Sequence, residues 1–290
     1  MQPLFDTKLL IARKRRALAR PVAGADFLLT RVAEELSDRL ATVERRFENA
    51  VAAFCVTPAA RDAVLASGKA EKVLRIESDA AFLAGDEGQV ATPETLPLEP
   101  ESVDLVVSLL ALQEVNDIPG MLIQTRRALK PDGLFLAAMA GADTLTELRE
   151  SLLAAETEMF GGVSPRVSPF TDVRDAGALL QRSGFALPVA DIDTVTVRYD
   201  HMFALIRDLR AMGATNALID RSRRPATRAL FSRAAEIYAE RFSDPDGRVR
   251  ATFSFVWLSG WAPHASQQKP LKPGSAQVSL AQVLDEHKEK

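Results

Sequence analysis

The chain has 290 residues, 47% of them hydrophobic, enough to bury one large core or two small ones. A formal net charge of −3 argues against a broad nucleic-acid-binding face, which would need a clear basic excess. The single cysteine, Cys55, excludes an internal disulfide framework and a cysteine-based zinc site, and His201, His264 and His287 lack the i, i+4 partners of a helical metal site.

The N-terminus carries a basic cluster, Arg13-Lys14-Arg15-Arg16. A secretory signal would continue into an apolar stretch, but Ala17-Leu18-Ala19-Arg20-Pro21 breaks off at once. A mitochondrial presequence would also be Arg-rich; Asp6 and the lack of early serines weigh against one. No apolar run approaches the roughly 20 residues that span a bilayer. The expected location is cytoplasmic.

Residues 26–47 read as an amphipathic helix, with Phe27, Leu28, Val32, Leu36, Leu40 and Val43 at helical spacing and Asp26 as its N-cap. A short apolar run at 50–56 ends at Thr57-Pro58, where a helix starts and continues to Ser67-Gly68. Further strands are expected at 72–77 and at 103–110, the latter β-branched as a buried parallel strand should be. A helix at 118–129 leads into the turn Lys130-Pro131-Asp132-Gly133 and a strand at 134–139. This alternation of strand and helix marks a doubly wound α/β sheet.

Beyond residue 140 the pattern changes. A helix at 144–159, a Gly/Ser/Pro-rich loop at 161–169 and a helix from Asp172 to Ser183, closed by Gly184, follow in turn. Residues 194–199 alternate as a strand, 201–242 are mostly helical, and 251–261 form a last long strand. The tail from Ala265, with Pro270 and Pro273, is polar.

The strand at 103–108 followed by Leu129-Lys130-Pro131-Asp132-Gly133 resembles the fourth strand and following turn of class I S-adenosylmethionine-dependent methyltransferases. In that turn glycine is expected to supply a positive φ. The blocks Gly141-Ala142-Asp143-Thr144-Leu145, Gly161-Gly162-Val163-Ser164-Pro165-Arg166, Asp208-Leu209-Arg210-Ala211-Met212-Gly213-Ala214-Thr215-Asn216 and Gly274-Ser275-Ala276 sharpen the likeness. In this order they resemble the family of mitochondrial complex I assembly factor 5 and its bacterial relatives, from Leu4 to about Val278. Starting at Leu4, the likeness implies little presequence to remove. More distantly, the chain is similar to the malonyl-carrier-protein methyltransferases of biotin synthesis.

The resemblance implies an α/β, Rossmann-like, seven-stranded class I methyltransferase fold, with N-terminal helices and a helical insertion before the last strand. The implied organisation is a helical segment at 1–48, a methyltransferase-like domain at 49–264 and a tail at 265–290. The implied function is that of an S-adenosylmethionine-dependent methyltransferase-like protein acting on a protein substrate, a complex I subunit. The alternatives are a non-catalytic assembly factor with a degenerate cofactor site, and a protein-arginine hydroxylase. No nucleic-acid partner and no transmembrane segment are expected.

In the superfamily, a glycine-rich loop after the first strand holds the methionyl end of the cofactor, because the backbone must approach it closely. Here that loop is Phe54-Cys55-Val56-Thr57-Pro58-Ala59, with no glycine. Cys55 and Thr57 are its candidate contacts. Glu77 stands where an acid accepts the ribose hydroxyls, or is simply a solvated strand end. Thr92-Pro93 stands where an acid meets the adenine amino group, but Thr92 carries no charge. Leu110, Gln113, Glu114 and Asn116 follow the fourth strand and can face a pocket, or Asn116-Asp117 caps the next helix. Asp143 and Thr144 either cap the following helix, with Glu147 completing a capping box, or reach a substrate. Arg149 can pair with a substrate carboxylate or a nearby acid. Ser164 and Pro165 belong to a rigid loop expected to wall the pocket, and Asn216 completes the candidate substrate set. Arg221-Ser222-Arg223-Arg224 and Arg228 read as a solvated helix face or a docking patch for an acidic protein surface.

Overall fold

The computed structural model describes residues 2–268. Pro270, Pro273, the Gly274-Ser275-Ala276 block and His287 lie outside the described residues. The strands are β1 (Ala50–Ala53), β2 (Val73–Glu77), β3 (Gly88–Val90), β4 (Val103–Leu109), β5 (Leu129–Ala140), β6 (Ala186–Tyr199) and β7 (Val249–Trp261). They form one sheet in the order β3-β2-β1-β4-β5-β7-β6. The first five run parallel, and β7 lies antiparallel between β5 and β6. The seven-stranded arrangement is the one expected, including the insertion ahead of the last strand.

The helices are α1 (Thr7–Leu18), α2 (Phe27–Ala41), α3 (Ala59–Ala66), α4 (Ala80–Leu83), α5 (Ile118–Ala128), α6 (Thr146–Phe160), α7 (Val173–Arg182), α8 (Met202–Ala211) and α9 (Arg228–Phe242). Helices cover both faces of the sheet, so its central strand β4 is buried throughout rather than alternating. Leu105, Val107 and Leu109 pack with Leu36, Leu40 and Trp257 on one side. Val103 and Val106 pack with Ile76, Leu122 and Phe135 on the other. Among the described residues no helix is long and apolar enough to cross a membrane.

Several local expectations change. The helix starting near residue 26 stops at Ala41, and Phe47 instead bridges to Ala70. Asp26 makes no side-chain cap, because its φ of −93° and ψ of 9° are not the extended geometry that turns a carboxylate back on the helix. The Lys130–Gly133 segment, expected as a turn ahead of the strand, falls within β5, and its positive φ, +64°, is on Asp132. Gly133 is required for space: a Cβ there would lie 2.9 Å from the Lys130 carbonyl and 3.1 Å from that of Asp104.

No capping box forms at α6. Leu145 occupies its N-cap with φ +57°. Thr144 Oγ1 accepts from Ser254 N at 3.0 Å and donates to the Ser254 carbonyl at 2.9 Å. Glu147 accepts from Thr252 N at 3.1 Å. Both side chains are drawn to β7, which outcompetes the local cap. The 201–242 region is two helices joined by an irregular link, so Arg221, Arg223 and Arg224 lie on no helix face. Arg221 is largely buried and donates to Asp6 and to the Leu218 carbonyl.

Candidate functional site

A cavity of about 540 Å³ opens at the carboxyl ends of β1, β4 and β5. The strand order reverses between β1 and β4, and open α/β sheets bind ligands in the crevice outside such a switch point. The volume suits a small molecule or cofactor. Cys55, Val56 and Thr57 form the wall after β1, with Leu110, Gln113 and Glu114 after β4 and Phe253 and Phe255 from β7. Leu10, Lys14, Ala17 and Leu18 of α1, together with Met212 and Asn216 of the link, form the roof.

The glycine-free loop takes the shape that glycines would give it. Phe54 and Val56 have φ values of +58° and +65°. Leu110 after β4 and Leu145 after β5 are also left-handed, at +53° and +57°. Such angles are uncommon for residues other than glycine and are outliers for a β-branched one. Val56, Leu110 and Leu145 all face the cavity. Backbone strain of this kind gathers at ligand sites when the surrounding fold enforces it.

Glu77 enforces it here. Its Oε2 accepts from Val56 N at 3.0 Å, and its Oε1 accepts from Arg75 at 2.9 Å. Both side chains are fully buried. Arg75 also donates to Asp86 and to the Phe82 carbonyl, at 2.9 and 2.8 Å. Burial pushes the Glu77 carboxyl up to about 7, against the pull of Arg75 and of the Val56 N–H. The carboxylate lies behind the cavity wall, with both oxygens engaged by protein groups. Beside it, Cys55 lines the cavity as a neutral thiol, because burial and the nearby Glu77 push it up to about 12.

Asn116 and Asp117 divide two roles. Asp117 caps α5 by accepting from Gly120 N at 2.9 Å. Asn116 accepts from Leu4 N and Phe5 N, each at 2.7 Å, and donates to Glu94 at 2.8 Å. It therefore pins the N-terminal segment over the site. Asp6 N donates to the Ala217 carbonyl and Ile219 N to that of Leu4, both at 2.9 Å. Arg13 donates to the Asn216 carbonyl, and Lys14 pairs with Glu114. Phe5, Leu10, Ala217 and Leu218 form a small core of their own beneath these ties.

Of the residues singled out in the sequence, Cys55, Thr57, Leu110, Gln113, Glu114, Thr144 and Asn216 meet around the cavity. Gln113 donates to the Leu110 carbonyl at 2.6 Å and accepts from Ala140 N at 3.3 Å, bracing one strand end against the other. Thr92 and Pro93 lie off it; Thr92 Oγ1 bonds to Thr95 Oγ1 at 2.9 Å in an exposed turn. Asp143 is exposed. Arg149 donates to the carbonyls of Thr144 and Ser168, at 3.2 and 3.3 Å, and sits 6.0 Å from the Phe170 ring. It stiffens the wall loop from behind. Ser164 donates through N and Oγ to the buried Glu156, each at 2.9 Å. The Pro165 carbonyl accepts from Asn216 at 2.7 Å. Burial works against the Glu156 charge, but Ser164 and Arg166 outweigh it and hold its carboxyl below the ordinary 4.5.

Lys14 and Arg166 are cavity residues that the sequence reading did not assign. The signal for Lys14 is present: Leu10, Lys14 and Ala17 recur at helical spacing, placing one charge on the buried stripe of α1.

Known proteins agree with this fold. The methyltransferase domain family matches residues 39–137. The human mitochondrial arginine-hydroxylase NDUFAF5 is 37% identical over 97% of this chain and 83% of its own length. The chain belongs to the NDUFAF5 family. The Dictyostelium discoideum member is 45% identical over 64% of this chain, but that stretch is only 43% of its own length. For the Danio rerio member the matched share is 60% of its length. A malonyl-[acyl-carrier protein] O-methyltransferase of Laribacter hongkongensis is 38% identical over 62% of this chain and 58% of its own. The YcgJ protein of Bacillus subtilis superposes with a TM-score of 0.53 at 15% identity, covering 79% of this chain and 98% of its own. That likeness concerns the fold alone. The family thus sits on a Rossmann-like class I methyltransferase fold, a fold generally built around S-adenosylmethionine.

Proposed function

We propose that this protein binds S-adenosylmethionine in the roofed cavity and modifies a protein substrate, a subunit of respiratory complex I, during its assembly. The observation that carries the reading is the pair of positive φ angles at Phe54 and Val56 in the glycine-free loop at 54–57, braced by the Glu77 bond to Val56 N. A loop under such strain, facing a cavity of ligand size, is what a retained binding site requires. In this reading Cys55, Thr57, Leu110 and Gln113 line the methionyl end. Glu77 acts at one remove, by holding the loop. The fit is poorer at the adenosine end, where Glu77 is already engaged and Thr92 and Pro93 lie off the cavity.

Bound there, S-adenosylmethionine supplies a methyl group on a sulfonium, whose transfer needs little acid–base help. The chain's own part is to exclude water with the α1 roof and to admit a side chain between Thr144, Arg166 and Asn216. The name of the relatives favours a second reading, hydroxylation of an arginine side chain. Mass spectrometry of complex I subunits from a deletion strain distinguishes a lost methyl from a lost hydroxyl. The cytoplasm is the compartment proposed; the Arg13-Lys14-Arg15-Arg16 cluster belongs to the folded roof helix.

Melting the protein with and without S-adenosylmethionine tests cofactor binding. A ligand at one hundred times its dissociation constant adds about 2.7 kcal/mol. An unchanged melting temperature at millimolar cofactor sinks the cofactor reading and leaves the hydroxylase and the non-catalytic assembly factor.

A further inference from the structure

We propose that the Lys14–Glu114 pair is a receptor for the α-amino and α-carboxylate groups of an amino-acid head, and that the head is the methionyl end of the cofactor. The proposal rests on the cofactor reading above and supplies what the glycine-free loop lacks. Lys14 comes from the roof helix α1, and Glu114 from the turn after β4; both line the cavity. Their side chains are only 16% and 20% exposed. Apolar residues of the same cavity include Leu10, Ala17, Leu109, Leu110 and Phe255.

Two opposite charges withdrawn from water on an apolar wall are not fully compensated by each other. An ammonium has three N–H donors, and Glu114 receives one of them on Oε2. Glu114 Oε1 accepts no hydrogen bond among the described residues. Both partners therefore keep hydrogen-bonding capacity, and both line the cavity. Lys14 shares the cavity lining with Cys55, Val56 and Thr57 of the loop at 54–57.

A zwitterion matches this arrangement. Its carboxylate sits against Lys14 and its ammonium against Glu114, so all four charges are paired. A neutral apolar ligand would leave the pair as it is. A purely anionic ligand would meet Glu114, and a purely cationic one Lys14. The other cavity cation, Arg166, is already engaged by Glu156 at 2.5 Å and 2.8 Å.

The test is equilibrium binding by calorimetry of S-adenosylhomocysteine, 5′-methylthioadenosine, which lacks the amino-acid head, and free L-methionine. The wild type should bind S-adenosylhomocysteine far more tightly than methylthioadenosine. Lys14→Met and Glu114→Gln should each weaken S-adenosylhomocysteine at least tenfold and leave methylthioadenosine unchanged. Lys14→Arg should restore most of the affinity. Melting curves check that each variant folds; if Lys14→Met loosens α1, Glu114→Gln carries the test alone. Equal binding of the two nucleosides by the wild type, or equal losses in a folded variant, overturns the receptor while leaving the cofactor reading standing. Binding of L-methionine without either nucleoside supports the receptor and overturns the cofactor reading. Binding of neither S-adenosylhomocysteine nor methionine overturns both.

Discussion

Val56 shows how a single residue carries a site the sequence would discount. Its φ of +65° is a conformation that costs a residue with a Cβ about 1–3 kcal/mol. Val56→Gly removes that strain and loses about 0.5–1 kcal/mol through the freer unfolded chain. The variant should therefore be more stable than the parent by about 1 kcal/mol, measured by denaturant unfolding. A clear loss of stability would show that the loop is not strained. Glu77 is the second decisive residue. Its carboxyl is raised from the ordinary 4.5 to about 7, chiefly by burial. A carboxyl raised on folding contributes stability that is full below 4.5 and lost as pH rises through 7. Stability should fall over that window, by on the order of 3 kcal/mol if this group acts alone. Glu77→Gln cannot titrate, so its stability profile between pH 5 and 7.5 should be flatter than the parent's. A parallel slope in the variant would assign the titration to other groups.

The element that shapes the site is the roof, made of α1 and the link at 212–227. A small core holds its two parts together, and the roof is joined to the body through Met212 on one large core and a set of polar ties. Asn116 is the main tie, holding Leu4 N and Phe5 N from a turn 112 and 111 residues away. Each such bond is worth about 0.5–1.5 kcal/mol net. Asn116→Ala should therefore ease opening of the roof by about 2 kcal/mol, roughly thirtyfold in amide exchange at residues 4–18. Exchange in β4 and β5 should not change. If sheet and roof accelerate together, the roof is not a separate unit and Asn116 belongs to the global fold. The link shows the same principle in reverse. Arg221 is held by Asp6 and a carbonyl, so it serves the roof; Arg223 and Arg224 are left for the surface.

For the molecule as a whole, the sheet and its covering helices follow from local pattern, because a strand buried on both faces must be continuously apolar and a covering helix must be striped. The 103–110 run, the 118–129 helix and the long last strand are legible for that reason. The motif series extends this legibility to family and fold. Caps and turns are less legible where a distant strand competes: Thr144 and Glu147 carry the residues of a capping box and bond to β7 instead. Backbone shape at the candidate site is not legible at all, since a glycine-free loop reads as a lost site and yet folds left-handed. The sequence by itself determines the architecture, the order of its elements and the departure at the first loop, because these depend on residues near one another in the chain. Only the tertiary structure decided that Glu77 props that loop, that Asn116 pins the roof and that Lys14 meets Glu114 over a cavity. Each of those contacts joins residues 21 to 112 positions apart. Their energy depends on burial supplied by the rest of the fold, and no local pattern records it.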